Sequence, residues 1–432
     1  MRKFKEGMRL YNLFPRLVGT IPKWLEHCRR AKEMGFNWIF INPISLTGFS
    51  GSLYAIKDYY RLNPVFIEGT EEDGPAQLAA FMEGVKEMGL KLMNDLVINH
   101  TAYDSVLVEE HPGWFLRGVD GKIQHPFCVD PPGSDNIVVW DDLAEIDNHS
   151  SPDSDNLWSY WLKLVDHYID AGWDGFRCDA AYQVPPELWR EILGRARSKK
   201  DDVLFAAETL GCTNEQTLET ASCGFDYIFN NSRWWDMTSP WLLKQYNMTR
   251  EIADSISFPE THDTTRTAAD SHGDDRVSKM RYLFSAVYST GVMIPIGYEL
   301  GFTKKLDVLW TSPQNWEEPS FDISGFIRKT NEMKASHRVF NEEGPQEALK
   351  EFGENLLVMK KSTNDGREKA LVVINRNNKT PGNLAIESLS GLLGTDAAAV
   401  DVSPEDHLDS VPNRLDIVIG PLQSKIFVFK EE

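Results

Sequence analysis

Four short apolar runs in this chain end in clusters of polar residues whose types suit acid–base and nucleophilic chemistry. One runs into Asp95-Leu-Val-Ile-Asn99-His100, another into Arg177-Cys-Asp179, a third into Glu208 and a fourth into Glu260-Thr-His262-Asp263. Carboxylates brought to one mouth cannot behave independently. Like charges at close range and partial burial push their pKa values apart, so that one stays protonated as an acid while others remain ionised. That division of roles is what glycosidic cleavage requires. Arg177 stands two residues before Asp179, hence on the same face of a strand, where its guanidinium can hold that carboxylate ionised and oriented.

Taken singly, each of these residues has a plainer reading. An isolated Asp at a strand end is more often a helix cap or a loop anchor, and His100 or His262 alone is as often a buried structural histidine as a ligand contact. The weight lies in the coincidence of four polar clusters at the same end of four different strands. The clusters lack a HxxxH or EF-hand spacing, which argues against a metal centre. Trp114, Trp140, Trp234, Trp235 and Trp310 fall in loop-like stretches, where a flat ring can stack on a sugar or simply pack.

The elements that must position these residues are repeated beta-alpha units. Runs rich in beta-branched and aromatic residues alternate with longer amphipathic stretches. Strands are expected near residues 8–14, 37–42, 90–96, 174–178, 203–207, 225–229, 255–258 and 292–296, a count that makes an eightfold α/β TIM barrel the natural architecture. Residues 154–171 read as a helix with Ser154 and Asp155 as N-cap candidates and Gly172 as its stop, and the helix from Gln77 stops at Gly89 in the same way. Residues 102–150 are too long for a simple loop and read as a small excursion after the third strand. Beyond Phe340 the pattern alternates, with a turn signal at Asn364-Asp365-Gly366. The expected division is a barrel over 1–101 and 151–342, an insertion over 102–150 and an antiparallel β-sandwich over 343–432.

At 432 residues the chain suits one large domain plus something smaller. The amino terminus passes from basic residues into mixed polarity without an apolar signal core, and no apolar run is long enough to span a bilayer, so a cytoplasmic location is expected. A formal charge of −20 disfavours nucleic acid or anionic membrane as a partner and is compatible with a neutral substrate. Five scattered cysteines suggest neither a disulfide framework nor zinc.

At these residues the sequence resembles the alpha-amylase family of retaining glycosidases and transglycosylases. The family's first signature appears as Asp95 to His100, its second as Gly175 to Ala181, its third as Ala206-Ala207-Glu208 and its fourth as Thr261-His262-Asp263. Tyr54 to Tyr60, residues 143–148 and residues 297–302 agree with auxiliary motifs, all in the family's order. The resemblance implies Asp179 as nucleophile, Glu208 as general acid/base and Asp263 as the third carboxylate, which grips sugar hydroxyls. Arg177 matches the residue that orients the nucleophile, His100 and His262 match contacts to hydroxyls of the sugar being cleaved, and Tyr54 matches the aromatic platform beneath it. Asp95 and Asp58 resemble supporting residues.

Three departures stand out. Thr261 replaces the more usual Asn before the His-Asp pair. The stretch after Asp179 lacks the Lys-His pair that many starch-degrading members use beyond the cleavage point. The insertion is short, and Asn99 with one loop aspartate offers little for the calcium that many members bind there, so no cofactor is expected. YAIKDYY and NHTAYDSVLVEEHPGWF are similar to the branch holding intracellular amylase-like proteins and maltosyltransferases. The resemblance implies hydrolysis of alpha-1,4-glucans or maltooligosaccharides, with transglycosylation or phosphorolysis as alternatives. A non-catalytic sugar-binding barrel is disfavoured by the intact carboxylate triad.

Overall fold

The computed structural model describes residues 6–129 and 135–431. Eight parallel strands close into a barrel: β1 (Arg9–Leu13), β2 (Trp38–Ile41), β3 (Lys91–Leu96), β4 (Gly175–Cys178), β5 (Leu204–Glu208), β6 (Tyr227–Phe229), β7 (Asp254–Ser257) and β8 (Gly291–Pro295), each paired with its sequence neighbours and β8 with β1. These strands fall within two residues of the expected starts and ends, because each is a short apolar run flanked by turn residues. A helix follows every strand: α1 (Trp24–Glu33), α2 (Gly74–Glu87), α3 (Ser154–Ala171), α4 (Pro186–Lys199), α5 (Asn214–Ala221), α6 (Trp241–Thr249), α7 (Asp275–Tyr288) and α8 (Ser324–Ser336).

Alternation along the strands builds two apolar layers. Leu10, Trp38, Phe40, Met93, Ala206, Tyr227 and Phe229 cluster together as the barrel interior, while Tyr11, Ile39, Ile41, Leu92, Phe176 and Phe205 join the layer shared with the helices. Extending the inward series past Met93 and Ala206 places Asp95 and Glu208 at the top of the barrel interior, with Arg177 opposite Asp95 in the β3–β4 register.

Helix α3 ends as expected at Gly172, which takes a left-handed conformation at φ 114° that a side chain rarely adopts. Its span, Ser154–Ala171, is the one read from sequence, but its cap lies one residue earlier. Asp153, not Ser154 or Asp155, is the N-cap residue. The Asp153 carboxylate accepts from Trp114 Nε1 at 2.8 Å and from Asn156 at 2.6 Å, so the cap belongs to tertiary packing of the insertion.

The excursion after β3 is closed by strand His100–Ala102 pairing antiparallel with Leu143–Glu145, and it holds a short helix, Val106–Glu110, and an outlying hairpin, Phe127–Val129 with Ile137–Val139. A further hairpin, Ser45–Thr47 with Ile56–Leu62, follows β2 and carries Tyr54 in its connection. Beyond the barrel, strands Gln346–Leu349, Leu356–Ser362, Glu368–Asn375, Ser424–Lys430 and Ala399–Asp401 form one sheet in that order, and Gly382–Ile386 pairs with Leu415–Ile419 in a second. Leu415–Ile419 and Ser424–Lys430, close in sequence, belong to different sheets and part at Gly420. Leu356, Val358, Leu371, Val373, Leu384, Ile386 and Phe427 form the apolar cluster the two sheets share. No helix among the described residues is long and apolar enough to cross a membrane, and Cys28, Cys178, Cys212 and Cys223 are free thiols.

Candidate active site

Arg177 is the hub of the barrel mouth. Its Nη1 donates to both oxygens of Asp95 at 2.9 Å and to Asp179 Oδ1 at 2.8 Å, and its Nη2 lies 2.9 Å from Glu208 Oε1. One buried guanidinium thus meets three carboxylates from three adjacent strands. Its plane lies 5.9 Å from the centroid of Phe40, an inward residue of β2, and 5.8 Å from that of Tyr54, in the range of cation–π attraction. Directly after Asp179, Ala180 adopts a left-handed backbone at φ 40°, and its N–H donates to Glu208 Oε2 at 2.9 Å. A non-glycine residue held in that region at a carboxylate pair is strain used for positioning.

A second chain of contacts crosses the mouth from β2 to β7. The Tyr54 hydroxyl donates to Asp95 Oδ2 at 2.7 Å and lies 2.7 Å from His262 Nε2, which in turn lies 3.0 Å from Asp263 Oδ2. The Tyr54 and His262 rings are parallel within 3° at 5.6 Å. Thr261 fills the place of the usual Asn by accepting from Asp263 N at 3.2 Å through its hydroxyl, which leaves the His262-Asp263 pair in place.

The four carboxyls are tuned apart. Burial pushes Asp179 up to about 6, against the pull of Arg177. Burial likewise raises Glu208 and Asp95, again opposed chiefly by Arg177. For Asp263 burial acts upward, but its side chain is 56 % exposed, and His262 beside it, with Arg177 and Lys305, holds it at about 2. Buried His100 is pushed down to about 4 by desolvation, and neither ring nitrogen makes a full hydrogen bond among the described residues. A neutral imidazole donates from one ring nitrogen and accepts at the other.

Tyr54, His100, Arg177, Asp179, Glu208, His262 and Asp263 are all brought to the same end of the barrel, with Asp95 beneath them. Asp58 is not among them: its carboxylate accepts from Tyr60 N at 3.0 Å within the hairpin. Trp114 and Trp235 are core residues, bonded through Nε1 to Asp153 and to the Ser239 carbonyl, whereas Trp140, Trp234 and Trp310 stay exposed. Asn99 Nδ2 donates to Gln183 Oε1 at 2.9 Å, and among the described residues no group of three or more His, Cys, Asp or Glu side chains gathers as for a metal.

Sequence reasoning overlooked Asn12 and Asn42. Asn12 Nδ2 donates to Asn42 Oδ1 at 2.8 Å and Asn42 Nδ2 to the Tyr54 hydroxyl at 3.0 Å. Asn42 closes the second apolar run, the signal that exposed the other four clusters, whereas Asn12 lies inside the first strand between Tyr11 and Leu13. Lys305, on the loop after β8, was also overlooked, and no motif marks it.

The family described as "Glycogen debranching enzyme, glucanotransferase domain" matches residues 4–115. An alpha-1,4-glucan:maltose-1-phosphate maltosyltransferase from Burkholderia pseudomallei is 25% identical over 334 residues, covering 75% of this chain and 29% of that protein. A cyclomaltodextrinase from Geobacillus thermopakistaniensis is 23% identical over 394 residues, covering 84% of this chain and 63% of that protein. This chain therefore spans less than two thirds of the length of either relative. Among solved structures, an alpha-amylase from Lactobacillus plantarum superposes with a TM-score of 0.77 at 20% identity, covering 98% of both chains. The chain thus shares its fold with this alpha-amylase, and the motifs gathered in order at one barrel mouth resemble those of the alpha-amylase family.

Proposed function

We propose that the chain cleaves or transfers alpha-glucosidic bonds with retention of configuration, acting on alpha-1,4-glucans or maltooligosaccharides. The observation that carries this reading is the pairing of Asp179 and Glu208 on the two terminal nitrogens of one buried guanidinium. That arrangement favours the short carboxyl spacing, about 5 Å, of retaining enzymes over the wider gap that must admit a water. Glu208, its proton held more tightly by burial, donates to the glycosidic oxygen as the bond to the anomeric carbon breaks. Asp179 attacks that carbon from the opposite face and forms a covalent glycosyl ester. Water or a sugar hydroxyl then attacks the same carbon, giving its proton to Glu208 and displacing Asp179.

Asp263, ionised and open to the mouth, accepts bonds from sugar hydroxyls, and neutral His100 together with His262 completes that grip. Tyr54 presents its ring beside them. A neutral sugar is compatible with the chain's net charge of −20.

Transfer to a sugar acceptor is the second reading, favoured by the maltosyltransferase among the relatives and by the glucanotransferase family match. Product analysis by chromatography and proton NMR, after incubating wild type and Asp179→Asn with maltooligosaccharides with and without phosphate, separates the outcomes. Shorter alpha-anomeric products from wild type alone establish a retaining hydrolase. Longer oligomers or a sugar phosphate establish a transferase or phosphorylase, and beta-anomeric products exclude retention.

A further inference from the structure

We infer that the cleft between α7, α8 and the C-terminal sheets is a second, non-catalytic binding site for a short neutral sugar segment, outside the barrel mouth. For the identity of that ligand the inference rests on the alpha-glucan reading above. The cleft measures about 360 Å³, at the small end of ligand pockets, which run from ~300 to 1,000 Å³. Arg276, Lys279, Met280 and Leu283 present one face of α7 to it, and Phe326 of α8 closes that wall. The opposite wall comes from both sides of the break between Leu415–Ile419 and Ser424–Lys430, through Val418, Leu422, Ser424 and Lys425. Each barrel helix starts where the loop from the preceding strand ends. The first turns of α7 therefore set the cleft at the same end of the barrel as Asp179 and Glu208, and the segment that carries His262 and Asp263 leads into it.

The lining gives the chemistry of the ligand. Its charges are already balanced. Arg276 holds Asp274 through Nε at 2.9 Å and Nη2 at 2.7 Å, Lys279 lies 3.1 Å from Glu405 and 3.5 Å from Asp275, and Lys425 lies 3.0 Å from Asp401. An anion would have to displace a carboxylate, whereas hydroxyl groups can bridge fixed ion pairs, accepting from the cation and donating to the carboxylate. Apolar surface lies beside these ions: Val418 is 65 % exposed, and the Lys279 ammonium stands 5.6 Å over the Phe326 ring. The flat face of a sugar ring suits such surface while its rim of hydroxyls meets the charges. One polar atom is left over. Ser424 Oγ is shielded from solvent and has no hydrogen-bond partner among the described residues, a deficit that a ligand hydroxyl removes. The backbone of this wall is also unusual. Asp406 at φ 56° and Leu422 at φ 60° are two of five left-handed non-glycine residues among those described, and Ala180 at the active site is a third. Strain of this kind gathers where ligands are held.

The test is calorimetric titration of Asp179→Asn with maltohexaose, the variant that should hold the sugar without turning it over. It is titrated alone, combined with Lys279→Ala/Glu405→Ala, and combined with Ser424→Ala. Asp179→Asn alone should show two sites. Removing the exposed ion pair should weaken one of them about ten-fold, the worth of a charge-assisted hydrogen bond, and leave the other unchanged. Ser424→Ala should weaken the same site without lowering the melting temperature, because it deletes a shielded hydroxyl that has no partner. With Asp179 restored, Lys279→Ala/Glu405→Ala should leave kcat/KM on maltose unchanged and raise KM for soluble starch at constant kcat. Sugar binding that neither change weakens overturns the cleft, while turnover by wild type keeps the proposed activity standing. The expected losses in a chain whose wild type turns over no alpha-glucoside uphold the cleft and remove the proposed activity.

Discussion

Arg177 carries one positive charge among three carboxyls, and the imbalance sets the protonation of the site. Burial raises Asp179 to about 6 against a usual value of 3.8. If Asp179 must be ionised to attack, kcat/KM should fall on the acid side with an apparent pKa near 6, a limb read from a pH–rate profile of the free enzyme. The same shift bears on stability. A carboxyl raised in the folded state is destabilising while ionised, fully so above about pH 6 and not at all below about pH 4. Asp179→Asn should therefore raise the melting temperature at pH 7.5 by a few degrees, on the order of 1–3 kcal/mol, and by nothing at pH 4. A gain that persisted at pH 4 would trace to packing. The role of Glu208 has its own signature. Glu208→Gln should cost roughly 10²–10⁴ in kcat on maltooligosaccharides and far less on alpha-glucosyl fluoride, whose leaving group needs no proton. Equal losses on both donors would remove the acid role. The triad, Arg177 and both histidines were legible because they close apolar runs with polar residues of known chemistry. Their pKa order was not, since it depends on how deeply each side chain is buried.

The segment that brings His262 and Asp263 into place is held from behind by an ion pair outside the site. Glu260 and Arg266 are both buried, with Arg266 Nη1 2.8 Å from Glu260 Oε1, while Arg266 also donates to the carbonyls of Ile296 and Lys304. The pair pins the turn after β7 to the segment after β8 at both of its ends. Removing one partner leaves the other charged and buried, which costs about 3–5 kcal/mol, whereas replacing both with apolar residues is far milder. Arg266→Met should therefore destabilise more than the Glu260→Met/Arg266→Met pair in urea unfolding. A double variant no better than the single one would mean the carbonyl contacts, not the ion pair, hold the turn. Element by element, the sequence exposed barrel strands and helix stops far better than helix starts or hairpins. Gly172 and Gly89 mark helix ends by backbone conformation alone, a local property. The N-cap residue of α3, Asp153, is held by Trp114, 39 positions away, and Tyr54 reaches the mouth through a hairpin that no alternation in YAIKDYY reveals.

At the scale of the whole molecule, the barrel and the sheets that follow it are joined by polar contacts that neither part can satisfy alone. Glu343, in the connection after α8, accepts from Ser255 N at 3.0 Å, from Ser255 Oγ at 2.9 Å and from Thr290 N at 2.9 Å, so it ties off the starts of β7 and β8. From the sheet side, Lys361 buries its ammonium against the carbonyls of Val287 and Tyr288 at the end of α7, where desolvation brings it down to about 8. Tyr246 of α6 donates to the Gly344 carbonyl at 2.7 Å. Such an interface couples unfolding, because opening it strands buried donors and acceptors on both faces at roughly 1–3 kcal/mol each. Scanning calorimetry of the full chain should accordingly give one transition with equal calorimetric and van't Hoff enthalpies. Glu343→Ala, which leaves the Ser255 and Thr290 N–H groups without their acceptor, should lower that single transition by several degrees without splitting it. Two resolved transitions in the wild type would mean the sheets fold on their own and merely rest against the barrel. A Glu343→Ala variant that lowered only one of two peaks would place the residue in the barrel's own stability and not in the coupling.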